Sequence, residues 1–186
     1  MRTRQRIEGH AASGQRGFTL IEILVTIAIA AILAGIAVPS LSTFLRNVKL
    51  NSTSSSMVAS LQLARNEAIK RNAGVLVCPS DTAKTGCVAT TEWGVNGWLV
   101  CFDMDNDGVC DTATPELPNP ISVVDKVDPT FAAVVGPAVA IRFAPSGSQG
   151  AAGAGTVSLT ITGNWSGATP LTVTVAGSGL IKGSRV

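Results

Sequence analysis

Residues 18–38, FTLIEILVTIAIAAILAGIAV, form an apolar run of 21 residues broken by one charge, Glu22. At ~1.5 Å per residue, a helix of that length covers roughly the ~30 Å hydrocarbon layer of a bilayer. After Pro39 the pattern becomes amphipathic. Leu41, Phe44, Leu45 and Val48 recur at helical spacing, as do Val58, Leu61, Ala64 and Ala68. Between the two sets, Asn51-Ser52-Thr53-Ser54-Ser55-Ser56 is poor helix-forming material, because short polar side chains compete for the backbone's hydrogen bonds. The pattern predicts one long helix over 18–72, with a bend or frayed turn at 51–56, whose second half lays an apolar stripe on the remainder of the chain. Gly74 is the expected stop.

Beyond Gly74 the period changes to two. Val75–Cys78, Gly97–Phe102, Ile121–Val127, Val139–Phe143, Thr156–Thr162 and Leu171–Ala176 read as strands, separated by clusters of Gly, Pro, Asn and Asp. Ser146–Gly155 is a Gly-rich connection, and no repeat recurs. The expected fold class is α+β: a long N-terminal helix, transmembrane then amphipathic, packed on an antiparallel β-rich head.

Charge sharpens the division. Residues 1–17 carry Arg2, Arg4, Arg6 and Arg16 against Glu8, which favours a cytoplasmic N-terminus. Residues 72–186 carry nine acids against five bases, so the head is acidic and not built as a broad phosphate-binding surface. The four cysteines, Cys78, Cys87, Cys101 and Cys110, all lie in this head. In an exported domain they read as two disulfides, and of the three pairings the local ones, Cys78–Cys87 and Cys101–Cys110, are favoured. A four-thiolate zinc site is the competing reading, but eight residues separate the cysteines within each pair, wide for the usual zinc knuckle.

Glu22 asks for a function, since a carboxylate held in lipid costs roughly 3 kcal/mol by insertion scales. The stretch RGFTLIEILVTIAIAAILAGIAVPS resembles the class III signal of type IV pilins and type II secretion pseudopilins. The resemblance rests on Gly17, Phe18, Thr19, Leu20, Glu22 and Pro39. It implies cleavage by a prepilin peptidase between Gly17 and Phe18, methylation of the new amine, and pairing of Glu22 with the N-terminal amine of a neighbouring subunit. Two opposite charges are each costly alone in lipid and much less so together. The implied organisation is a leader at 1–17, a transmembrane and filament-core helix at 18–39, its amphipathic continuation at 40–73, and a periplasmic head at 74–186.

The head is similar in pieces to the GspH/FimT family of minor pilins and pseudopilins: LQLARNEAIKRNAGVLVCPS, then WGVNGWLVCFDMDNDG, then IRFAPSGS and a β-rich tail. This resemblance implies the pilin fold, with a β-sandwich-like head of antiparallel sheets. It also implies a structural subunit that initiates or caps a type IV pilus, or alternatively a minor pseudopilin of a type II secretion system. The implied partners are other pilins or pseudopilins, the prepilin peptidase, the inner-membrane assembly platform and membrane lipid. The implied location is the bacterial inner membrane, single-pass, and then the filament.

Other constellations are weaker. Asp103-Met104-Asp105-Asn106-Asp107-Gly108 matches the first half of a calcium loop, with Asp103, Asp105 and Asp107 as candidate ligands. The twelfth position is Thr114, which offers no bidentate carboxylate, and an Asp/Asn/Gly turn explains the same residues. Trp93, Trp98 and Trp165 read as cover for a small core. The only histidine, His10, lies in the leader, and no nucleophile motif or phosphate loop occurs, so neither an enzyme nor a cofactor is expected. Some FimT-type minor pilins bind DNA through a C-terminal Gly-Arg-x-Arg motif. Here Gly179-Leu180-Ile181-Lys182 lacks the first arginine, leaving Lys182 and Arg185 as two possible phosphate contacts and DNA as a weak partner.

Overall fold

The computed structural model describes residues 17–114, 118–150 and 155–185; the side chains of residues 36–40 and 185 lie outside that description. The leader up to residue 16, the Pro39 side chain and the Arg185 side chain therefore fall outside it. The chain divides into two compact units, Met1–Ser42 and Thr43–Val186.

Helix α1 spans Leu20–Arg71 and begins in the first unit. Thr19 caps it: the Glu22 amide donates to Thr19 Oγ1 at 3.3 Å. A threonine cap followed three residues later by glutamate is the capping-box pattern, and it sets a carboxylate at the positive end of the helix dipole. The apolar side chains from Leu20 to Leu33 are exposed. Among the described residues no helix is long and apolar enough to cross a membrane. The run expected to do so, 18–38, ends in residues whose side chains are outside the description.

In the second unit α1 is continuous through 51–56, where fraying was expected. Thr53 Oγ1 donates to the Lys49 carbonyl at 3.1 Å and Ser60 Oγ to the Ser56 carbonyl at 2.9 Å. Each hydroxyl is thereby satisfied within the helix, and tertiary packing overrides weak propensity. The buried face is Leu50, Met57, Leu61, Ala64 and Ala68, a 3.6-residue stripe. The expected stripe at 41–48 is not buried: Leu41, Phe44, Leu45 and Val48 remain exposed. The helix stops at Asn72, not Gly74. Asn72 takes φ 52°, its amide donates to Ile69, and the Ala73 amide donates to Ala68 at 3.2 Å, which together close a Schellman motif. Gly74 serves a different purpose. A Cβ there would collide with the Arg142 guanidinium and with the Asp103 carbonyl oxygen.

Two four-stranded antiparallel sheets follow, and they do not close into a barrel. The first runs β3-β2-β1-β5, from β1 (Val75–Pro79), β2 (Trp98–Phe102), β3 (Ser122–Val124) and β5 (Ile141–Phe143). The second runs β4-β6-β7-β8, from β4 (Ala132–Val135), β6 (Val157–Gly163), β7 (Leu171–Val175) and β8 (Ile181–Arg185). β4 and β8 were not expected, and β3 and β5 are shorter than their apolar patterns. β3 ends early because the Val127 amide leaves the sheet to pair with Gly94.

The inner faces of both sheets and the α1 stripe meet in one core. Trp93, Trp98, Phe102 and Phe143 are its largest members. Both indoles are satisfied: Trp93 Nε1 donates to Pro137 O and Trp98 Nε1 to Ser60 Oγ, each at 2.9 Å. β6 and β7 alternate, with Leu159, Ile161, Leu171, Val173 and Val175 inward and threonines outward. β1 and β2 instead read VLVCP and WLVCF because both of their faces are covered. Their outer face carries a second, smaller core of Leu76, Cys78, Leu99 and Cys101.

Candidate functional site

Three groups of residues carry the functional expectations. The first is the start of α1. Gly17 and Phe18 precede the helix, Phe18 is 78% exposed, and Glu22 sits in the first turn. The Thr19 cap ties the residue after Phe18 to the backbone of Glu22, so the capping hydroxyl and the carboxylate meet at the first turn.

The second is the cysteine cluster. Cys78–Cys87 and Cys101–Cys110 are both bridged, each with Cα atoms 5.5 Å apart, and no free cysteine remains. β1 and β2 pair Leu76 with Cys101 and Cys78 with Leu99, which sets the two strand cysteines diagonally on one face. The loop cysteines reach in from 81–97 and 103–114, and Cys87 Sγ lies 3.5 Å from Cys110 Sγ. Each bridge pins a loop over the second core. Asp81 fastens the first loop by accepting from the Thr85 amide at 2.9 Å and the Thr85 hydroxyl at 3.1 Å. The Thr85 amide, followed by the Gly86 amide and the Thr85 hydroxyl, holds the Asp81 carboxyl below its usual pKa. Asp128 is lowered in the same way, first by the Thr130 hydroxyl. Asn119 fastens the second loop, accepting from the Phe102 amide at 3.0 Å and donating to the Asp111 carbonyl at 2.7 Å.

The third is the acidic turn. Asp103, Asp105 and Asp107 do come together, and their carboxylates accept hydrogen bonds from the turn's own amides and from Arg142. Asp103 is fully buried; its Oδ2 accepts from Arg142 Nε at 2.9 Å and its Oδ1 from the Gly108 amide at 3.4 Å. Asp105 accepts from the Asp107 amide and Asp107 from the Val109 amide. Arg142, on β5, thus supplies the positive charge next to Asp103. The sequence gives no sign of this partner, which is 39 residues away.

Of the two possible DNA contacts, Lys182 has a described side chain. Lys182 is exposed on the edge strand β8. Nearby, Arg65 of α1 packs across Gly147 and Gly179, and its Nε is buried without a hydrogen-bond partner among the described residues.

A helix that opens on a capped glutamate and ends packed on two antiparallel sheets defines a protein of the pilin class. The comparisons agree. The family model for the type II transport protein GspH matches residues 53–179, and that for the prokaryotic N-terminal methylation motif matches residues 12–38. The chain belongs to the GspH family of pilin-like proteins, a structural pilin type. Similar solved structures include two crystal forms of the type IV minor pilin FimU from Pseudomonas aeruginosa. One shares 16% identity over 75% of this chain and 90% of FimU with a TM-score of 0.53; the other shares 15% over 72% and 91%, with a TM-score of 0.51. At that identity the likeness concerns the fold. No curated protein sequence matches the chain.

Proposed function

We propose that the chain is a minor pilin that helps to initiate or cap a type IV pilus. In this reading a prepilin peptidase removes residues 1–17, and the helix from Phe18 anchors the protein in the inner membrane. A single crossing leaves the head in the periplasm. The observation that carries the reading is a methylation motif over residues 12–38 joined to a GspH-type head, with Glu22 in the first turn of α1. Glu22 then pairs with the Phe18 amine of a neighbouring subunit, which neutralises two charges that lipid would otherwise penalise. Phe44, Leu45 and Val48, exposed along α1 before the buried stripe begins at Leu50, provide apolar surface for the neighbouring helices of a filament. The test is a deletion strain complemented with a tagged chain. Filaments sheared from the cells should contain the chain starting at Phe18, and piliation should fall without it. Wild-type piliation, with the chain absent from sheared filaments, would refute the proposal.

The family model's description favours a second reading, a minor pseudopilin of a type II secretion system. Under that reading deletion leaves pili intact and abolishes secretion of folded exoproteins, so the same strain separates the two.

A further inference from the structure

The two bridges form one four-sulfur cluster. Cys78 and Cys101 are fully buried on adjacent strands, while Cys87 and Cys110 are half-buried on loops. All four sulfurs lie within 4.8 Å of one another, and the closest approach between bridges is 3.5 Å. Four sulfurs around Zn²⁺ at ~2.3 Å stand about 3.8 Å apart. The cluster therefore already has the dimensions of a tetrathiolate site. The two bonded separations, 1.97 and 2.03 Å, must widen most, and the loop cysteines can supply that movement because neither sits in a strand. The wide spacing within each pair is no obstacle once the pairing of β1 with β2 has brought Cys78 and Cys101 onto one face. Leu76, Leu99 and Ala140 wall the cluster with apolar surface, which suits a closed structural site over one holding water.

We propose that the reduced chain binds one Zn²⁺ through Cys78, Cys87, Cys101 and Cys110. The same four residues then hold the head by two disulfides in an oxidising compartment and by a metal in a reducing one. Reduction of both bridges by a thiol or phosphine takes up four electrons and four protons and yields four thiols. Zn²⁺ displaces the four thiol protons, leaving a tetrathiolate of charge −2. A disulfide oxidant that removes four electrons restores the bridges and releases the ion. This inference is independent of the pilus reading.

The experiment uses the full-length chain in detergent, reduced with a phosphine under anaerobic conditions, freed of metal and titrated with Zn²⁺ or Co²⁺. One metal should bind per chain, and Co²⁺ should give the visible bands and sulfur charge transfer of a tetrahedral thiolate site. Zinc should protect all four cysteines from alkylation, as mapped by mass spectrometry. The oxidised chain and the Cys87→Ser/Cys110→Ser variant should bind none. If the reduced metal-free chain loses its β-sheet circular dichroism, one equivalent of zinc should restore it. Sub-stoichiometric binding, alkylation of any of the four cysteines in the zinc-loaded chain, or equal binding by the oxidised chain would each overturn the proposal.

Discussion

Asp103→Ala should be among the most damaging single substitutions in the head. Asp103 has no exposed surface, and the side chain of its partner Arg142 is 17% exposed, so the guanidinium left behind keeps little access to water. Breaking a buried ion pair from one side costs about 3–5 kcal/mol; the residual exposure of Arg142 argues for the lower end, about 3 kcal/mol. The Gly108 amide loses its acceptor as well, which loosens the turn next to the Cys101–Cys110 bridge. Urea titration of the full-length chain in detergent reads the effect. With a slope of ~2 kcal/mol per molar, the midpoint should fall by about 1.5 M. Arg142→Met should cost at least as much, because it strands the wholly buried carboxylate. The double variant is the decisive arm. Removing both charges leaves no buried charge uncompensated, so the double variant should cost about 2 kcal/mol less than the sum of the two singles. A double variant that costs the sum of the two singles would show that the pair is not an energetic unit, and the reasoning would fail.

Three further outcomes follow from residues already described. Glu22→Ala and Glu22→Gln should both leave leader cleavage intact and remove the chain from sheared filaments; wild-type incorporation of either would mean that the charge is not used in assembly. Ser60→Ala should cost about 1–3 kcal/mol because it strands the buried Trp98 indole N–H, and an unchanged urea midpoint would contradict the bond seen at 2.9 Å. The lowered pKa of Asp81 means that its carboxylate stabilises the fold above the unfolded value of 3.8, and that this contribution is lost as the pH falls through the folded pKa. The difference in melting temperature between the native chain and Asp81→Asn should therefore close well below pH 3.8, and a gap that persists there would argue against it.

The features legible in the sequence are those that depend on neighbours along the chain. The apolar run with Glu22 near its start, the alternation in β6 and β7, and the two local disulfides can all be read within short windows. β4 and β8 cannot. AAVV is short and half alanine, and IKGSR holds one apolar residue, so neither announces a strand. Their backbones are recruited by β6 and β7, to which they pair in register. The helix stop was misplaced because glycine is the usual left-handed residue, yet Asn72 takes that conformation here while Gly74 makes room for Asp103. The expected stripe began too early for a similar reason. Leu41 to Val48 are as apolar as the residues after them, and whether they are buried depends on where the sheets lie, not on periodicity. Arg142 was missed because an ion pair across 39 residues leaves no local trace.

The route by which α1 enters the head has a mechanical consequence. Three residues separate the end of the helix at Arg71 from β1, and β1 is hydrogen-bonded on both sides, to β2 and to β5. Tension passed along the helix therefore reaches an interior strand, whose bonds to two neighbours share the load, instead of an edge strand that could peel away one bond at a time. If the strand did yield, Cys78–Cys87 would stop the extension within a few residues, since the loop it closes cannot pay out. A head joined in this way should resist tension passed along α1 and give way first at its edge strands β3, β4, β5 and β8, each of which has a neighbour on one side only.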